Sequence, residues 1–286
     1  MKGKKKIGDY LIYTLIALAS VLCVLILAGI LIFVIVKGIK SINWEFLTSV
    51  TSVIKGTTGI AGNIMNTLYI VILTLLIATP AGVGAAIYLN EYAKPGKLVN
   101  MIQFTTETLA GVPSIIYGLF GMMFFGMTLG TGYSLLTGAL TMAFMVLPLI
   151  TRNTQEALKT VPASYRLGAI GMGAGRWYMI RTVLLPSAMP GILTGIILSV
   201  GRIVGESAAL LYTAGSGYYL PQTVGQAIGK IMESGGTLTV QMYLSMSKGE
   251  YNVAYGIAIV LLALVLVINL SAKAVANRLV RQGGAR

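Results

Sequence analysis

Two charges interrupt one of the most apolar stretches of this chain. Arg202 and Glu206 lie within residues 194–214, TGIILSVGRIVGESAALLYTA. A charged side chain at bilayer depth costs at least ~2.5–3.5 kcal/mol on insertion scales, so it faces a pathway, a cavity or a partner far more often than lipid. On an unbroken helix, positions i and i+4 share one face, so the spacing predicts that Arg202 and Glu206 pair. Arginine suits an oxyanion because its planar guanidinium donates two parallel hydrogen bonds. A carboxylate beside it limits the cost of a lone buried charge while no anion is bound. The pair therefore points to a pathway or a partner contact within a membrane. The competing reading is an arginine near a helix end that snorkels to lipid headgroups.

Composition supports the membrane. Of 286 residues, 56% are hydrophobic and 10% charged, where soluble domains carry about 25% charged. The net charge of +13 does not indicate nucleic-acid binding, because the basic residues sit at the ends of apolar runs and form no hydrophilic face. The chain has no histidine, which removes HExxH zinc chemistry and every histidine-based triad. Its single cysteine, Cys23, excludes an intrachain disulfide. No catalytic set, metal site or cofactor is expected. Gly225-Gln-Ala-Ile-Gly229-Lys230 comes nearest to a phosphate loop, but it is one residue short and lacks the Ser/Thr for magnesium. Gly171-Met-Gly173-Ala-Gly175 does not complete GxGxxG.

The elements that would hold these charges are transmembrane helices. The uncharged run Leu11–Val36 is too long for a cleavable signal core, so it reads as a retained anchor. Six spans are expected, near residues 11–36, 62–90, 101–125, 132–150, 187–211 and 252–272. The uncharged run Thr108–Thr151 is too long for one helix and divides at the glycines 126–132. Pro113 should kink or break the third span, and Glu107 is read as a structural residue at the membrane interface, with substrate contact as the alternative. Lys and Arg fall fifteen to five on alternate segments, which places both termini in the cytoplasm. Gly191, Gly195 and Ser199, then Gly201, Gly205 and Ala209, recur at four-residue spacing and allow close helix approach. The outer stretch 214–251 reads as a cap or re-entrant element. The expected organisation is a basic N-terminus at 1–10, a first helix and outer loop at 11–61, a permease-like transmembrane domain at 62–275 and a tail at 276–286.

The segment 151–186, read as a cytoplasmic stretch, carries a second pattern. Pro162 can open a short helix, and the glycines at 171, 173 and 175 would end it. Permeases of ABC importers carry Glu-Ala-Ala, three residues, Gly, nine residues, Ile, one residue, Leu-Pro. Gly173, Val183, Leu185 and Pro186 fall at that spacing, and Leu167-Gly168-Ala169 occupy the Glu-Ala-Ala positions. Leu167 stands where the pattern has glutamate, so docking would rely on apolar packing and on the neighbouring Arg166.

With these blocks the chain resembles phosphate ABC-importer permeases of the PstA type. The resemblance is carried by Leu109-Ala-Gly-Val-Pro-Ser-Ile-Ile-Tyr-Gly-Leu-Phe120, by the coupling pattern and by residues 201–214, and covers most of the chain from about residue 60. It implies an all-α membrane protein with six transmembrane helices and a cytoplasmic coupling helix between the fourth and fifth. It implies pairing with a PstC-type permease, two PstB-type ATP-binding subunits below and a PstS-type phosphate-binding protein outside. By position, Arg202, Glu206 and Ser207 would line the phosphate pathway. Arg166, Leu167, Gly168, Ala169, Gly173, Val183 and Pro186 would couple it to the ATPase. The chain would be a transport subunit of a bacterial or archaeal cytoplasmic membrane, with ATP hydrolysis in its partner. Arg202 speaks against an uncharged solute but does not separate phosphate from sulfate or phosphonate. A stand-alone channel or secondary transporter is the further alternative, against which the 151–186 segment speaks.

Overall fold

Long uncharged runs of leucine, isoleucine, valine and alanine build the helices, since a helix satisfies its own backbone groups without water. The computed structural model describes the backbone of residues 2–52 and 57–283, and the side chains of residues 8–52 and 57–274. Lys55 and Arg286 of the charge pattern lie outside the described residues, as do the side chains of Lys2, Lys4, Lys5, Lys6, Arg278 and Arg281. In chain order come α1 (Lys2–Gly38), α2 (Trp44–Thr48), strands β1 (Val50–Ser52) and β2 (Thr57–Ile60), α3 (Ala61–Ile87), α4 (Lys97–Ala110), α5 (Ser114–Gly121) and α6 (Leu135–Lys159). They are followed by α7 (Ala163–Gly171), α8 (Arg176–Met179), α9 (Leu185–Gly205), α10 (Ala208–Thr213), α11 (Val224–Gly229), α12 (Leu238–Ser247) and α13 (Tyr251–Gly283). β1 and β2 pair antiparallel with Val50 opposite Ile60, a small hairpin that the all-α expectation did not include. α1 and α13 run unbroken through the boundaries expected at 10/11 and 275/276.

Five stretches are long and apolar enough to cross a membrane: 8–41, 61–92, 135–159, 176–205 and 251–274. A bent pair, α4 followed by α5 with its wide-turn extension to Thr128, turns through 103° and makes a sixth when taken as one span. The third span is thus broken at Pro113, as its chemistry suggests. Pro113 takes φ −58° and ψ 139°, its carbonyl starts α5 by accepting from Ile116 at 3.0 Å, and the Tyr117 hydroxyl donates across the break to the Leu109 carbonyl at 2.8 Å. Pro80, Pro148 and Pro190 stay inside helices.

Two boundaries differ from the expected ones. The fourth span continues to Lys159, and the fifth begins as a helix near Arg176, so most of 151–186 is helical extension and only residues 160–175 form the connection. The polar residues Arg152, Glu156 and Lys159 are exposed on α6 and do not stop a helix whose other face packs. The fifth span ends at Gly205 instead of running to 211, and α10 starts anew at Ala208.

The main core joins α3, α6, α9 and α10 through Ile70, Leu135, Met142, Val146, Ile203 and Leu210. A second cluster holds the 160–175 connection, with Leu158, Val161, Ala169, Ile180 and Leu184 buried together. Of the small-residue positions, Gly191 and Gly195 face α6 so closely that a Cβ would come within 2.5 Å of Ala157 and 2.6 Å of Asn153, whereas Gly201 and Gly205 face open space. At the opposite end of the bundle from α7, the stretch 214–251 folds back onto α3. Asn63 donates to the Gly236 carbonyl at 2.9 Å, and Asn66 to the carbonyls of Gly217 and Gly236 at 2.9 and 3.1 Å. That cap seals the ends of the core helices with polar bonds buried away from solvent.

Candidate functional site

Arg202 projects from the last turn of α9 into a cavity of ≈ 220 Å³, which is also lined by Thr106, Glu107, Ala110, Met145, Pro148, Leu149 and Arg152. A neighbouring cavity of ≈ 130 Å³ shares Thr106, Glu107 and Arg152 and adds Gln103, Gln155, Glu156 and Lys159. The two adjoin in a cleft between α4 and α6: the larger, which carries Arg202, is mainly apolar, and the smaller is mainly polar. Arg202, Arg152 and Glu107 are all exposed in the single chain, so the cleft is open on one side. Two guanidinium groups over an apolar floor of Met145, Pro148 and Leu149 supply donors that suit an oxyanion; the Glu107 carboxylate beside them only accepts, and the Thr106 hydroxyl donates to the Ile102 carbonyl at 2.8 Å.

The expected pairing of Arg202 with Glu206 does not form. Spacing of i and i+4 brings two side chains together only on a continuous helix, and α9 ends one residue before Glu206. Glu206 is extended (φ −82°, ψ 127°). Its carboxylate accepts from the Ala209 backbone N–H at 3.1 Å, and its carbonyl accepts from the Thr239 hydroxyl at 2.7 Å. Glu206 therefore caps α10, where an anion is favoured by the unpaired N–H groups of a first turn. Ser207 is half-buried beside it, and its carbonyl accepts from Leu211 at 2.9 Å. Arg202 makes no ion pair among the described residues. Its charge sits by the unpaired carbonyls of the α9 C-terminus, which favour a cation.

Arg152 was not singled out from the sequence, and Glu107 was read as structural in preference to a substrate contact. Their signal was present: they bound the uncharged run Thr108–Thr151, and two consecutive crossings return the ends of such a run to the same side.

The coupling pattern maps onto α7 and its flanks. Pro162 precedes α7 with φ −55° and ψ 138°, and its carbonyl accepts from Tyr165 at 3.1 Å. Gly173 ends the turn with φ +78°, the left-handed backbone that favours glycine. Ala169 is buried, while Leu167 is 69% exposed; Gly168 and Pro186 are exposed and Val183 is half-buried. Arg166 is not a free docking charge. Its guanidinium donates to Glu91 at 2.8 Å and to the Leu158 and Val161 carbonyls at 3.0 and 3.1 Å. The outward face of α7 is apolar, carried by Leu167 and Ile170 with Met172 just beyond.

Lys230, from the near-miss phosphate loop, is buried. Its ammonium donates to the Ser234 carbonyl at 3.3 Å and lies 5.4 Å from the Tyr219 ring centre. Burial pushes it below the usual lysine range, and the Glu233 carboxylate pulls it partly back. Residues 224–229 are helical and make no phosphate cradle.

The fold is shared with solved ABC transporters: a chain of a bacterial ABC transporter involved in the import of the acidic polysaccharide alginate aligns over 94% of this chain and 96% of that chain, with TM-score 0.69 and 17% identity. The MetNI methionine transporter aligns over 77% and 94%, with TM-score 0.57 and 21% identity. The chain belongs to the family of binding-protein-dependent transport system inner membrane components, whose profile matches residues 78–282. Among its relatives, the probable ABC transporter permease protein YqgI of Bacillus subtilis is 37% identical over 74% of this chain and 72% of that protein. The phosphate transport system permease protein PstA of Xylella fastidiosa strain Temecula1 is 33% identical over 85% and 83%. The protein is thus a multi-pass permease subunit of an ABC importer.

Proposed function

We propose that this subunit imports inorganic phosphate, forming half of a translocation pathway with a second, PstC-type permease. Two PstB-type ATPases would dock below at α7 and a PstS-type binding protein would deliver the anion from outside, with both termini in the cytoplasm. The observation that carries the substrate class is the pair Arg202 and Arg152 on one cavity with Thr106 and Glu107. The guanidinium groups would bind oxyanion oxygens bidentately, and the carboxylate accepts the proton that monobasic phosphate carries and sulfate lacks. The PstA relatives favour phosphate among oxyanions.

The test is uptake of labelled phosphate by cells deleted for other phosphate importers and expressing the complete transporter. Saturable, ATP-dependent accumulation that excess phosphate competes and excess sulfate or phosphonate does not is the expected result. Competition by sulfate alone would move the assignment to a different oxyanion.

A further inference from the structure

Glu91 stands outside every motif above, yet its side chain is only 7% exposed and it holds the one arginine of α7. It lies in the wide helical turn Tyr88–Tyr92 that extends α3. Arg166 Nη2 donates to Glu91 Oε1 at 2.8 Å and Nε reaches Oε2 at 3.5 Å, so both carboxylate oxygens face the guanidinium fork. The Asn90 amide donates to the same Oε1 at 2.6 Å, and the rest of the guanidinium is taken by the Leu158 and Val161 carbonyls. One side chain thus ties together α3, the end of α6 and α7.

We propose that the Glu91–Arg166 pair is a strut that makes α7 move as one body with α3, a positioning role for both residues in coupling ATP hydrolysis to the pathway. The proposal rests on α7 being the ATPase docking helix. The chain links α7 to α6 through Thr160–Pro162, and toward α9 through a glycine-rich turn, α8 and the wide turn Ile180–Leu184. α3 is not next to α7 in the chain, so only non-covalent contacts can hold the two together directly. Ala169 is the one buried residue of α7, so apolar packing alone gives the helix a small footing, and a paired charge with three further acceptors or donors supplies direction as well as attraction. A push delivered to Leu167 and Ile170 then reaches α3 through a rigid polar joint. Arg166 therefore faces inward to Glu91, and ATPase recognition falls to the apolar face.

The experiment uses the complete complex, reconstituted with both permeases, the ATPases and the binding protein. Glu91→Gln keeps the size and one acceptor of the side chain and removes its charge. The expected result is normal complex yield with binding-protein-stimulated ATP hydrolysis and phosphate uptake lowered on the order of tenfold, the weight of one charge-assisted contact. The double variant Glu91→Gln/Arg166→Gln should be no worse than the worse single variant, as coupled residues require, and the exchange Glu91→Arg/Arg166→Glu should recover part of the stimulation. Wild-type stimulation in Glu91→Gln, additive losses in the double variant, or a fall in yield that matches the fall in stimulation would overturn the strut. Leu167→Arg separates the two levels: if it leaves ATPase retention unchanged, the docking assignment of α7 fails first. If it releases the ATPase while Glu91→Gln behaves as wild type, the strut alone fails.

Discussion

Gly118 and Ala209 meet backbone to backbone: a Cβ built on Gly118 would lie 2.8 Å from the Ala209 Cα and 3.1 Å from its carbonyl oxygen. Gly118 follows the break at Pro113 and Ala209 follows the break at Glu206, so the outer halves of two interrupted helices lie against each other. The contact packs α5, which follows the 103° bend, against α10, which follows the end of α9. The sequence blocks 109–120 and 201–214 thus meet in one interface.

That interface predicts a local intolerance to volume. Gly118→Val should destabilise the protein by about 1–3 kcal/mol, because the obstructing atoms are backbone and cannot rotate away. Gly84→Ala, where no other atom lies within 4 Å, should be neutral or slightly stabilising in its helix. Thermal unfolding in detergent compares them, and equal melting temperatures for the two variants would refute the close contact.

Arg202 predicts a loss specific to transport. Arg202→Ala should lower phosphate uptake by on the order of 10- to 100-fold, the loss of one or more charge-assisted bonds. Arg202→Lys should recover little, since an ammonium lacks the bidentate fork. Membrane levels of the variants must stay normal in the same cells. Wild-type uptake by Arg202→Ala would mean that the side chain reaches to the interface for solvation and lines no pathway.

Glu206 should behave differently from Arg202. As a cap on α10 it predicts that Glu206→Ala costs about 1 kcal/mol of stability, while Glu206→Gln, which keeps an acceptor for the Ala209 N–H, costs less. In a double-mutant cycle on uptake, Arg202→Ala and Glu206→Gln should add to within about 0.5 kcal/mol, as unpaired sites do. A coupling energy well above that would restore the ion pair that the i, i+4 spacing suggested.

How much the sequence showed depended on whether the deciding contact was local. Five crossings and the break at Pro113 follow from apolar length and from the missing proline N–H. The break at Gly205-Glu206-Ser207 was overlooked although its letters are those of a helix end and a new start; reading one continuous apolar run as one helix turned a cap into an ion pair. Glu91 and Arg166 are 75 residues apart and no periodicity joins them. Arg152 and Glu107 needed the antiparallel return of two spans before they could be seen beside Arg202. The identity of the small residues at 191 and 195 was legible as close packing, but only the fold tells that α6 is the neighbour.

The turn after α7 sets two glycines in opposition. Gly173 has φ +78°, where an L side chain meets its own carbonyl at a cost of roughly 1–2 kcal/mol. Space is not the obstacle there, since no neighbouring atom lies within 4 Å; the backbone angle is. Gly168, five residues earlier, lies inside α7 with open space at its Cβ position, and alanine is the better helix former by about 1 kcal/mol. The same substitution should therefore act with opposite sign at the two sites. Gly168→Ala should leave ATPase retention and stimulated hydrolysis at or above the wild-type level, while Gly173→Ala should lower both by loosening the turn that aims α7. Gly173→Arg should be as poor as Gly173→Ala, because the strain comes from having any Cβ. Reconstituted complexes assayed with and without binding protein decide it: if Gly173→Ala is as active as Gly168→Ala, the left-handed turn does not set the position of α7.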